Sequence, residues 1–146
     1  MEKTLVYTFK TFPYKSDLPF KKVSVFGKLN DDIKSFCQGI LIAKPNWIVG
    51  FAKSTEKYST IEKYSINKFH GDKKVLDDAP DRYELNVPIG LEKFFSVRTK
   101  PTKSFCNLSM FKIKWFLEKN NLDIPLTFIH ILQNDLKKLP KYLNQG

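Results

Sequence analysis

Two residue types in this chain can do nucleophilic and proton-transfer chemistry at neutral pH, and both are scarce. Cysteine occurs only at Cys37 and Cys106, and histidine only at His70 and His130. Cys106 stands where a loop turns into a helix. Lys100-Pro101-Thr102-Lys103-Ser104 reads as a connection, because Pro101 lacks an amide donor and disfavours helical backbone at Lys100. Downstream, Leu108, Phe111, Ile113, Trp115, Phe116 and Leu117 predict a helix that ends near Asn120-Asn121. Cys106 then sits at or just before the first turn, beside amides that lack a partner within the helix. The positive end of the helix dipole favours thiolate over thiol there. A thiolate is a nucleophile, and it commonly works with an imidazole and an orienting acid.

His130 lies in Pro125-Leu126-Thr127-Phe128-Ile129-His130-Ile131-Leu132, a short apolar run that reads as a buried strand. A polar ring in that setting needs a partner, and a carboxylate or thiolate is a natural one. Spacing alone favours a core histidine bonded to a backbone carbonyl over a catalytic one. It does not separate a nucleophilic Cys106 from a small buried hydrophobe. His70 stands in the polar turn His70-Gly71-Asp72. Cys37 shares one helical face with Ile33, Phe36, Ile40 and Leu41, in a helix opened by Asp31 and Asp32 with Asn30 as N-cap. It reads as core.

Ser104-Phe105-Cys106-Asn107 followed by Phe128-Ile129-His130-Ile131 resembles the nucleophile and histidine segments of pyroglutamyl peptidase I (pyrrolidone carboxyl peptidase), a cysteine peptidase family. Ile61-Glu62-Lys63-Tyr64-Ser65-Ile66-Asn67 is similar to the family's glutamate segment, with an asparagine five residues after the acid. Lys44-Pro45-Asn46-Trp47-Ile48-Val49-Gly50-Phe51-Ala52 resembles its lysine-proline-aspartate strand, and Thr8-Phe9-Lys10-Thr11-Phe12-Pro13 its aromatic loop.

The resemblance implies a triad of Cys106, His130 and Glu62. Cys106 attacks a carbonyl to give a thioester. His130 holds the thiolate as an ion pair and protonates the leaving amine, and Glu62 fixes the imidazole tautomer. The backbone amide of Cys106 is the expected oxyanion donor. Phe9, Phe12 and Phe105 are the expected substrate-binding rings, against the apolar face of a lactam. The implied substrate is a peptide with an N-terminal pyroglutamyl group, or a related small amide; no cofactor and no metal are implied. Taken on its residues alone, Glu62 reads as a surface carboxylate whose side chain can point either way.

The chain departs from the pattern between Asn67 and Cys106. Residues 83–88 and 94–99 read as extended and leave little room for the family's helix before the cysteine. Where the family has an active-site arginine this chain has His70-Gly71-Asp72-Lys73, so Lys73 or Arg98 are the candidate substitutes. The glycines of the aromatic loop are missing too. The chain reads as a shortened, divergent member. The alternative is a noncatalytic relative that binds a partner, or nucleic acid, through a basic surface.

The elements that must position these residues are those of an α/β domain. With 146 residues, 42% of them hydrophobic and 14% aromatic, the chain can build a core as one domain, 1–146, and is not disordered. Strands are expected at 4–9, 22–27 and 47–52, within 58–67, and around His130; the tail 133–146 is expected to carry one helix broken by Pro140. The order strand, strand, helix, three strands, helix, strand, helix predicts a central, mixed or mostly parallel sheet. The resemblance implies a three-layer α/β/α sandwich, with the site outside the carboxyl ends of strands.

A net charge of +10 invites a nucleic-acid reading, but the lysines are scattered, in pairs such as Lys21-Lys22, Lys73-Lys74 and Lys137-Lys138. A solvated basic surface is the favoured account. No apolar run suits a membrane span, and Met1-Glu2-Lys3-Thr4 carries no signal core. Two cysteines make no disulfide framework, so a reducing cytoplasm is expected. A homo-oligomer stays open.

Overall fold

The computed structural model describes residues 3–102 and 104–143; Lys103 of the connection and the chain ends, 1–2 and 144–146, lie outside the described residues. Strands β1 (Thr4–Phe9), β2 (Ser24–Phe26), β3 (Trp47–Lys53), β4 (Thr60–Glu62), β5 (Tyr64–Ile66), β6 (Arg82–Glu84), β7 (Ser96–Arg98) and β8 (Leu126–Ile131) alternate with helices α1 (Leu29–Ala43), α2 (Phe105–Lys119) and α3 (Lys138–Leu143). Six strands form one sheet in the order β2-β1-β3-β8-β4-β7, parallel throughout except where β4 runs against β8. β5 and β6 form a separate antiparallel pair. This is the α/β architecture with a mostly parallel mixed sheet that the alternation of elements predicts.

The centre of the sheet is β3 and β8, whose unbroken apolar runs are what a strand covered on both faces requires. Ile48, Val49, Phe51, Phe128 and Ile129 are all fully buried. One face packs against α1 and α2 through Tyr7, Ile40, Ile48, Met110, Ile113 and Phe128. The other is covered by Leu18, Leu91, Leu136 and Leu139, over Val49, Phe51, Ile129 and Ile131. That second cover is thin, made of 3-10 turns and the short α3. Gly50 is required by close approach, since a Cβ there would lie 2.4 Å from the Tyr7 ring and 2.7 Å from that of Phe128.

Several expected boundaries move, each for a local reason. Five strands, not three, lie between the long helices. The stretch 60–66 is split at Lys63, whose amide donates to Arg98 O (3.0 Å) while its carbonyl accepts from Leu85 N (2.7 Å), passing the chain from the main sheet to β6. Asn30 is not the cap of α1. The helix starts two residues earlier, with Lys28 as N-cap, and Asp32 reaches back to accept from the amides of Gly27 (2.7 Å) and Lys28 (3.0 Å). Leu41 is 45% exposed, so the apolar face of α1 is narrower than its spacing suggests. Pro140 does not break the last helix; it falls in the first turn of α3, where no amide donor is needed. Among the described residues no helix is long and apolar enough to cross a membrane.

Candidate active site

Strand parity assembles the site. On β8, Phe128 belongs to the core under the helices and Ile129 and Ile131 to the opposite core, so His130 shares the helix-side face with Phe128. Across the antiparallel pairing, Thr60 stands opposite His130 and Ile61 opposite Ile129. Ile61 is in the far core, which turns Thr60 and Glu62 to the same face as His130. The next pairing sets Arg98 beside Glu62. His130, Thr60, Glu62 and Arg98 therefore come together at one end of the sheet. The ambiguity over which way Glu62 points ends here: it points inward and is 1% exposed.

Cys106 is brought to the same place by α2. It is the second residue of that helix, and Ser104 is the N-cap, its hydroxyl accepting from Cys106 N at 3.3 Å. Thr102 steadies the cap, donating to Ser104 Oγ at 3.0 Å and accepting from Ser104 N at 3.2 Å. Asn107 pins the first turn to β5. Its Oδ1 accepts from Ser65 Oγ (2.9 Å) and Ile66 N (2.9 Å), and its Nδ2 donates to Ile66 O (2.8 Å) and Lys68 O (2.9 Å). Ser109 donates to Cys106 O at 2.7 Å and meets the Tyr7 hydroxyl at 3.0 Å. The asparagine after the cysteine is thus an anchor for the start of α2.

Cys106 and His130 line one cleft of about 470 Å³, together with Phe9, Phe12 and Phe105. Phe9 and Phe12 are buried at its wall, whereas Phe105 is 40% exposed and meets Phe9 edge-on at 4.8 Å. The cleft opens beyond the carboxyl ends of β1, β3 and β8, marked by Phe9, Lys53 and His130. Glu62 closes in behind the imidazole, its Oε1 3.9 Å from His130 Nδ1. That is beyond hydrogen-bond reach. Neither carboxyl oxygen of Glu62, nor His130 Nδ1, has a hydrogen-bond partner.

Burial dominates the electrostatics. It pushes the Cys106 thiol up to about 12, against the Ser104 hydrogen bond that lowers it, while the charge of Glu62 raises it further. Burial lowers His130 to about 4, and the Arg98 guanidinium adds to the effect. Burial raises Glu62 to about 7, with Arg98 pulling the other way. Both shifts favour the neutral forms, thiol and imidazole, over the expected thiolate–imidazolium pair, because desolvation outweighs the help of the helix terminus. The Cys106 amide, the expected oxyanion donor, is engaged by Ser104 Oγ at rest.

Two other candidates, His70 and Lys73, fall outside the cleft. The His70 ring lies against Phe69, 3.9 Å between centroids, and neither it nor Lys73 lines the site. Arg98 does line it, its Nε donating to Lys100 O at 2.9 Å and its Nη1 3.9 Å from Glu56 Oε1. Cys37 is buried in α1. Thr60 and Ser104 were not singled out from sequence. Ser104 carried a signal, a serine two residues before the cysteine at a helix start; Thr60 carried none without the strand register. Among the described residues no group of three or more His, Cys, Asp or Glu side chains can hold a metal.

By sequence the chain matches no family model and no curated protein. By fold it is similar to pyrrolidone carboxyl peptidase from Thermococcus litoralis, with a TM-score of 0.72 and 18% identity over 88% of this chain and 76% of that one. It is similar to pyroglutamyl peptidase I from Bacillus amyloliquefaciens, with a TM-score of 0.68 and 17% identity over 99% and 92% of the two chains. Pyrrolidone carboxyl peptidase from Pyrococcus furiosus gives a TM-score of 0.64 and 17% identity over 96% and 86%. The likeness is one of fold, that of the pyrrolidone carboxyl peptidases.

Proposed function

We propose that this chain is a cysteine peptidase that releases an N-terminal pyroglutamyl residue or a related small acyl group. Cys106 is the nucleophile, His130 the base and then the acid, and Glu62 the acid that orients the imidazole. The observation that carries this reading is that Cys106 and His130 open onto one aromatic-walled cleft, with Glu62 behind Nδ1. The fold likeness to pyrrolidone carboxyl peptidases supports it.

Burial favours thiol and imidazole as the resting forms, and the reaction is read from those. Nδ1 faces Glu62, which leaves Nε2 for the cleft. As Cys106 Sγ attacks the substrate carbonyl, the thiol proton passes to His130 Nε2, so that charge appears only with bond formation. The new imidazolium is stabilised by the Glu62 carboxylate, and the carbonyl oxygen, now an oxyanion, competes with Ser104 Oγ for the Cys106 amide. His130 then protonates the leaving amine, giving a thioester. A water molecule deprotonated by His130 hydrolyses it and restores the thiol. The rings of Phe9, Phe12 and Phe105 take the apolar face of the acyl group.

A noncatalytic binding role is favoured by one observation, the burial of Cys106, which pushes its thiol up to about 12. Release of a fluorophore from a pyroglutamyl amide separates the two. Turnover by the wild type that is lost in Cys106→Ala supports the peptidase; equal background from both proteins supports the binding protein.

A further inference from the structure

At and behind the wall of the cleft lie four polar atoms that are shut off from solvent and unpaired: Thr60 Oγ1 and His130 Nδ1 on lining residues, and Glu62 Oε1 and Oε2 behind them. They belong to neighbours. Thr60 faces His130 across the β4–β8 pairing, and Glu62 lies two residues further along β4 on the same face. Thr60 is only 3% exposed, yet it lines the cleft. Polar atoms sealed from water are costly unless they pair, and they nearly always do.

The hydrogen-bonding inventory of these atoms is complementary. A carboxylate has two acceptor oxygens and no donor. The threonine hydroxyl and the imidazole Nδ1–H are one donor each. Arg98, the charged neighbour from β7, donates through Nε to Lys100 O and its charge lowers the Glu62 carboxyl, but it makes no hydrogen bond to either Glu62 oxygen. The remaining ionisable neighbour, the Cys106 thiol on α2, opens onto the cleft.

We propose that Thr60 is a positioning residue of this site: its hydroxyl donates to one oxygen of the ionised Glu62 carboxylate and thereby presents the other oxygen to His130 Nδ1–H. Held at one oxygen, the carboxylate loses its freedom to swing away from the imidazole, and the 3.9 Å gap closes to a hydrogen bond as Glu62 ionises. Thr60 touches no reacting atom. This inference rests on the Glu62–His130 pairing of the proposed mechanism but not on peptidase turnover.

The test is a titration of the intact protein, following the Glu62 carboxyl carbon and the His130 ring nitrogens by NMR. Thr60→Val keeps the shape and removes the donor, so Glu62 should release its proton roughly one pH unit higher than in wild type. The Nδ1–H resonance of His130 should lose its hydrogen-bonded shift above that pH. Thr60→Ser, which restores the donor, should restore both. An unchanged Glu62 titration in a folded Thr60→Val protein would overturn the proposal, as would a Thr60→Ser protein that behaves like the valine variant. If these shifts appear while no pyroglutamyl amide is turned over, the positioning role stands and the peptidase reading fails.

Discussion

The middle of α1 and the start of α2 each bury one cysteine, and the two thiols are alike by the simplest measures. Cys37 is 6% exposed and Cys106 4%, and burial pushes both thiols up to about 12. What surrounds them differs. Cys37 packs among Ile33, Phe36 and Ile40 in a continuous apolar face. Cys106 sits in the first turn of its helix, at the wall of a cleft, with His130 in the same wall. Burial opposes ionisation at both sites, but only Cys106 shares a cleft with a histidine. In the proposed reading, reactivity comes from that neighbour and from access, not from a thiolate standing ready.

The largest effect that can break this comparison is loss of the base. His130→Ala should lower turnover of a pyroglutamyl amide by on the order of 10⁴ to 10⁶, whereas His70→Ala should leave it unchanged. Steady-state kinetics of both variants, beside melting curves, measure it. Comparable losses in the two would make Cys106 no different in kind from Cys37.

A smaller effect is expected from the orienting acid. Glu62→Gln should cost on the order of 10³ to 10⁴ in turnover, because the imidazolium must form during attack and an amide stabilises it poorly. The wild-type rate should climb with pH as Glu62 ionises near 7, and that limb should be missing in Glu62→Gln. Stability carries a second signature. The Glu62 carboxyl is raised from its ordinary 4.5 to about 7, so the folded state holds that proton more tightly; its contribution is full below pH 4.5 and is lost as pH rises to 7. His130 is lowered from 6.5 to about 4, so its effect has the opposite sign, and stability recovers as pH rises from 4 to 6.5. In the wild type the two oppose each other. In Glu62→Gln only the rise should remain, which melting temperatures across pH 4 to 7 would show.

The same contrast explains what was legible in the sequence. The helix carrying Cys106 and the strand carrying His130 were readable because their apolar runs are long. β1 and β3 were readable for the same reason. The Ser104–Asn107 segment even declared the helix start. Glu62 was not readable from its own surroundings, since β4 has three residues and its facing is set by the register of Thr60 and Ile61 against β8. The break at Lys63 depends on Arg98 and Leu85, distant in sequence. The N-cap position of α1 is Lys28 and not Asn30, because Asp32, a carboxylate one turn in, reaches back to the amides of Gly27 and Lys28 at once. The shift of both groups toward their neutral forms comes from burial, which no local motif reports.

The most direct test of the central claim is alkylation of the native protein by iodoacetamide near neutral pH, with both cysteines read by mass spectrometry. Labelling concentrated at Cys106, and slowed in His130→Ala, is the predicted result. Equal labelling of the two cysteines, or labelling confined to Cys37, would contradict it.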